Sequence, residues 1–253
     1  MIDGVEKPGD ATVQVPIATA SASASGEGTL SVVVVATRQN MATQHLWTAR
    51  HAARKCGERE SAVLLENRID LEHRSLTMSA VISSVCFLEA LVNEAFADVA
   101  DNAGRPTTGT EGISDHAAAV MAELWNGAES LEKRLSILEK YQLALVSAGK
   151  PRMDPGAMPY QGAKKLIDLR NALVHFKPAW EQVDVEHKLR KSVRDLFAEN
   201  QQPVGLPWFP NRCLGAGCAE WSCAVSVKFA DHWWEQMGLV RDFHSDFAAW
   251  PEP

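Results

Sequence analysis

Apolar residues along most of this chain recur at three- and four-residue intervals, the period of helices that bury one face. The longest such run reaches from Ser61 to about Asp101, with room for one break. With Val85 set at zero on a 100° wheel, Met78, Val81, Ile82, Leu88, Val92, Phe96 and Val99 all fall within about 60° of it. This predicts a long first core helix. Glu89 falls inside the same stripe, where a carboxylate needs a partner because unpaired charges are rarely buried. Before it, Met41 to about Arg59 reads as a helix whose Arg50, His51, Arg54 and Lys55 form a solvated basic face. After the loop DNAGRPTTGTEG, helices are expected over Ser114–Trp125 and from Ser130. The second reads SLEKRLSILEKYQLALVSAG, with Leu131, Leu135, Leu138, Tyr141 and Leu145 on one face and Gly149 as its stop. Val183 to about Asn200 reads as an exposed, charge-rich helix. From Cys218 the stripe Trp221, Val225, Phe229 and Trp233, closed by Gly238, predicts a last core helix. Trp208 and Phe209, in the proline-rich loop before it, are expected to pack on the bundle.

The two ends differ from the middle. Residues 1 to about 27 are rich in Ala, Ser, Thr, Gly and Pro and read as a flexible leader. LSVVVVAT then has the β-branched run of a short strand without a second strand to pair with it. The division expected is therefore a leader and extended arm over 1–40, a helical domain over 41–240 and an acidic, aromatic tail over 241–253. That tail is free to dock on a neighbour or stay loose.

Composition narrows the function. A 253-residue chain that is 46% hydrophobic and 23% charged suits one main domain. Its net charge of −7, from 25 basic and 32 acidic residues, argues against non-specific coating of nucleic acid. Between Lys164 and Asp195 the balance reverses to eight basic against five acidic residues. MIDGVEKPGD lacks the basic start of a signal peptide, and LSVVVVA is too short to cross a bilayer, so a cytoplasmic chain without a membrane partner is expected. Five cysteines, an odd number, suit reduced thiols. Cys213, Cys218 and Cys223 are spaced unlike zinc knuckles, and His232 lies nine residues further on, so no metal is expected there. No glycine loop for phosphate and no cluster of metal-binding carboxylates is present.

One stretch combines chemistry with a helical frame: YQGAKKLIDLRNALVHFKP, from Tyr160 to Pro178. Leu166, Ile167, Leu169, Leu173, Val174 and Phe176 spread over a wide apolar arc, predicting burial over most of the girth. Lys164, Asp168, Asn171 and His175 share a narrow polar strip. Pro178 predicts a helix end beside His175. Arg170 falls inside the apolar arc and requires an answering charge; Glu89 is the expected partner, or at least a neighbour of this helix.

Arg170, Asn171 and His175 resemble the R-x4-6-H signature of the HEPN superfamily, and FLEALVNEAF resembles the first long helix of those bundles. Arg68 and His73 share the spacing but lack the asparagine and the proline stop. The resemblance implies an all-α, HEPN-like helical bundle acting as a metal-independent endoribonuclease without cofactor, in defence, toxin or stress roles. It implies Arg170, Asn171 and His175 as catalytic residues in a cleft shared by a homodimer, with RNA as substrate. Glu89 and Asn93 would support the site, and Lys164 and Lys177 would meet RNA backbone. Some toxin members carry a tyrosine two positions after the histidine, modified by a partner; Lys177 stands there instead, which weakens the case for an inhibitor or antitoxin of that kind. The other reading is a HEPN-like bundle that only binds a partner protein, RNA or a nucleotide.

Overall fold

Helix α1 runs over Ala42–Val63 and α2 over Leu71–Asp101, so the break expected in the long periodic run falls at residues 64–70. α3 (Asp115–Asn126), α4 (Leu131–Arg134), α5 (Ile137–Ser147), α6 (Tyr160–Val174), α7 (Lys188–Val193) and α8 (Ala216–Met237) follow. The computed structural model describes residues 39–66, 68–127, 131–178, 187–193, 195–202 and 207–247. The described residues form one unit. Among the described residues there is no strand; the expected leader, and the strand read in LSVVVVAT, lie outside them.

α2 is the centre of the bundle, touching α1, α3, α5, α6 and α8. Val81, Val85, Leu88, Val92, Phe96 and Val99 of the expected stripe are buried, but so are Phe87, Leu91 and Ala95. Five neighbours require apolar residues on more than one face. By length and hydropathy α2 also meets the requirements of a membrane span, yet here its apolar surface is the bundle core. Beside it the Tyr141 ring packs edge-on against Phe229 and Trp233 at 4.8 and 5.0 Å. Its hydroxyl, whose pKa burial raises well above the ordinary value, donates to the Leu88 carbonyl at 2.7 Å.

Helix ends are tied by side chains from other elements. Met41 offers α1 no side-chain cap, and Glu94 of α2 instead accepts from the Met41 and Ala42 N–H groups at 2.6 and 2.8 Å. Asp70 caps α2 by accepting from His73 N–H at 2.8 Å, while Arg59 of α1 grips the same carboxylate with two donors. Glu60 accepts from the Ala216 N–H that opens α8 at 2.6 Å and lies 2.7 Å from His73 Nε2. Burial works against a charged His73, but the Cys56 and Glu60 side chains outweigh it and lift the ring to about 9. Burial likewise opposes ionisation of Glu60, and hydrogen bonds from His73, Ala216 and Gln201 overcome it.

Four sequence expectations are corrected. The helix expected from Ser130 is two, because Ser136 and Glu139 form a capping box that starts α5 afresh. The charge-rich helix over Val183–Asn200 is only α7 among the described residues, with Leu189 and Val193 buried. The described start of the tail, residues 241–247, is held by its own chain, with Phe243 buried beside Phe87 and Trp234. Most consequential, α6 is not buried over most of its girth. Gly162, Ala163, Leu166 and Leu169 face the bundle, while Val174 and Phe176 are each 53% exposed. Its partners, α2, α7 and α8, cover one side, and its C-terminal end carries its last apolar residues into solvent.

Candidate functional site

α6 ends as Pro178 requires: Val174 is its last helical residue and His175 its cap, with the His175 N–H donating to the Asn171 carbonyl at 2.9 Å. Asn171 and His175 are one turn apart on the same side of the helix. His175, Lys164, Asp168 and Lys177 are exposed, and Asn171 and Arg170 are half-buried. The polar strip therefore faces solvent along its length. The Arg170 charge reaches Cys86 of α2. Burial pushes that thiol up, Arg170 pulls it back, and Glu89 adds to the rise.

The ion pair expected between Glu89 and Arg170 is formed with another partner. Glu89, its side chain 44% exposed, lies 3.7 Å from the Nζ of Lys140, which has no exposed surface. Lys140 Nζ donates to Asn93 Oδ1 at 2.9 Å. Glu89 and Asn93, expected to support the site, both meet this lysine from α5. Sequence reasoning missed Lys140, although a signal existed: Ile137, Lys140, Tyr141 and Ala144 follow the buried period, with the lysine inside it.

Aromatic rings lead away from the motif. Phe176, beside His175, lies 6.1 Å from Phe209, whose other neighbour is the His187 ring at 5.5 Å. His187 Nδ1 accepts from the Leu189 N–H, leaving Nε2 to carry the proton of the neutral ring. Arg190 and Arg212 both reach Glu199, at 3.4 and 2.9 Å, so much of the local basic charge is answered within the chain. Trp208, buried as expected, donates its indole N–H to the same carboxylate at 2.7 Å.

Two other features lie elsewhere. A groove of about 600 Å³ between α1 and α8 has Arg50, Arg54, Glu220, Lys228 and Asp231 around Ala53, Cys223 and Val227. No motif residue lines it. Cys213 and Cys218 are buried, and the Cys213 thiol and burial together push the Cys218 thiol up, whereas Cys223 accepts from Ser84 at 3.8 Å, so the three do not converge on one point. Comparison with family models, curated proteins and solved structures gives no match for this chain.

What the motif can do follows from its groups. An exposed imidazole takes or gives a proton near neutrality. A guanidinium presents planar donors suited to phosphate oxygens. The Asn171 amide, one turn back, can orient the imidazole or bind a phosphate oxygen.

Proposed function

We propose that this chain is an endoribonuclease of HEPN type in which Arg170, Asn171 and His175 act on an RNA phosphodiester. The observation that carries the reading is the exposure of His175 at the end of α6, with Asn171 one turn behind it and Arg170, half-buried, next to Asn171 in the same helix. A histidine serving only as a structural cap has no need of an open, polar strip.

The reaction transfers no group from the protein. The 2′-hydroxyl loses its proton to a base, and its oxygen attacks phosphorus. The bond from phosphorus to the 5′-oxygen breaks, and that oxygen takes a proton. The products are a 2′,3′-cyclic phosphate and a 5′-hydroxyl. Arg170 stabilises the charge that builds on the non-bridging oxygens. His175 is the proton carrier, and Asn171 sets its orientation. One histidine does not serve as base and acid at once, so two copies of the chain supply one each. Lys164 and Lys177, both exposed, meet the RNA backbone. Glu89 and Asn93 tie α2 to α5 through Lys140, and α2 in turn packs against the motif helix.

A binding-only bundle is the second reading, favoured by exposed Val174 and Phe176 beside the motif, which suit contact with protein. Incubation of total RNA and a labelled tRNA with the purified chain in EDTA separates the two. Cuts leaving 2′,3′-cyclic ends should appear with wild type and drop at least a hundredfold, about the general acid–base contribution, in His175→Ala and Arg170→Ala of unchanged circular dichroism. Uncut RNA with wild type, or cutting that persists in folded His175→Ala, overturns the ribonuclease.

A further inference from the structure

Where α1 hands over to α2, a thiol, a carboxylate and an imidazole meet. Cys56 and Glu60 are four residues apart and share one face of α1; His73 lies in the first turn of α2. One ligand atom from each lies within 4.8 Å of the other two. The residues are 0%, 6% and 1% exposed. Among the described residues no other group of three His, Cys, Asp or Glu side chains gathers so closely. We propose that Cys56, Glu60 and His73 bind one thiophilic divalent cation of the zinc class, which pins α1, α2 and the start of α8 together.

The donor set selects the ion. Sulfur, imidazole nitrogen and a single carboxylate suit zinc and its neighbours, whereas calcium and magnesium take shells of oxygen. Each outer partner holds a ligand in place. The Gln201 and Ala216 N–H groups fix the two Glu60 oxygens at 3.2 and 2.6 Å. The Thr77 hydroxyl stands 3.2 Å from the Cys56 sulfur, able to donate to a thiolate. Gly215 lets the backbone close over the carboxylate, since a Cβ there would lie 2.8 Å from Glu60 Oε2.

The present 2.7 Å between His73 Nε2 and Glu60 Oε2 is a hydrogen-bond distance. Zinc bonds of about 2.0–2.1 Å in a tetrahedron hold such ligands about 3.3 Å apart. The ion therefore replaces the shared proton and that of the Cys56 thiol, both released to solvent, and parts the pair by about 0.6 Å, within the reach of small side-chain rotations. Three protein ligands leave one coordination position for water. None of these residues belongs to the α6 motif, so the site stands or falls apart from the ribonuclease.

Cobalt(II) is the probe, because a cobalt–thiolate bond gives a near-ultraviolet charge-transfer band. Full-length wild type, freed of metal with a chelator, should take up one equivalent, show that band and melt at a higher temperature. Cys56→Ser, with circular dichroism unchanged, should lose the band. Thr77→Val should weaken binding about tenfold to a hundredfold, as loss of an outer-shell partner does. Folded wild type without the band, or a band that persists in Cys56→Ser and so belongs to other thiols, overturns the proposal. If Cys56→Ser does not fold, wild type decides by itself: a melting temperature unmoved by zinc leaves only a hydrogen-bonded ion pair.

Discussion

Lys140 is fully buried, yet its ammonium meets the Asn93 amide oxygen at 2.9 Å and the Glu89 carboxylate only at 3.7 Å. Asn93→Leu removes the nearer partner and leaves a buried charge under-satisfied, so we expect urea unfolding to show a loss of about 1–3 kcal/mol. Lys140→Met removes the charge along with its need for partners and should cost less than Asn93→Leu, because a buried charge is most costly when one partner goes. At the site the balance is reversed. His175 is exposed and its structural tie is a backbone bond to Asn171, so His175→Ala should leave stability within about 0.5 kcal/mol while cleavage collapses. These two residues also differ in how readily the chain discloses them. His175 is marked by a local pattern of arginine, asparagine and proline stop. Lys140 looks like one more lysine until its place in the buried period of α5 is noticed, and its partners lie 47 and 51 residues away.

At the scale of an element, helix ends were legible wherever the capping group is local. Ser114 caps α3 and Gly238 closes α8 in the left-handed region, both within a residue of expectation. Ser136 and Glu139 had the same signature, and overlooking it merged α4 with α5. Ser136→Ala should therefore cost about 1 kcal/mol in thermal or urea unfolding. The α1–α2 junction adds a charge to a cap. The Arg59 guanidinium and the His73 backbone N–H hold the Asp70 carboxyl down at about 2. In an unfolded chain an aspartate titrates near about 3.9. The folded value is the lower one, so this stabilisation is complete above about pH 5 and is lost as pH falls through 3.9 toward 2. Asp70→Asn, which keeps a capping oxygen, should be less stable than wild type at pH 6. The gap between their urea midpoints should narrow steadily as pH falls from about 5 toward 2, and a gap that stays constant would assign the effect to geometry rather than charge.

Across the whole molecule, seating α6 depends on a residue with no side chain. A Cβ on Gly162 would run into the Val225 side chain of α8, so Gly162→Ala should push the motif helix off the bundle. We expect a loss of about 1–3 kcal/mol, the range for overpacking, and lower cleavage although no motif residue is touched. The all-α character, a long core helix over most of α2, the stop of α6 and the sharing of one strip by Asn171 and His175 were determined by the sequence alone. Helical period, capping chemistry and proline geometry act over a few residues and can be read along the chain. Tertiary structure decided the rest. It gave Glu89 to Lys140 rather than to Arg170, left Val174 and Phe176 in solvent where an apolar arc implied burial, and drew Cys56 and Glu60 together with His73. Each depends on how closely and at what angle helices pack. Those distances are set by side chains far apart in sequence, and the periodicity of one helix carries no record of them.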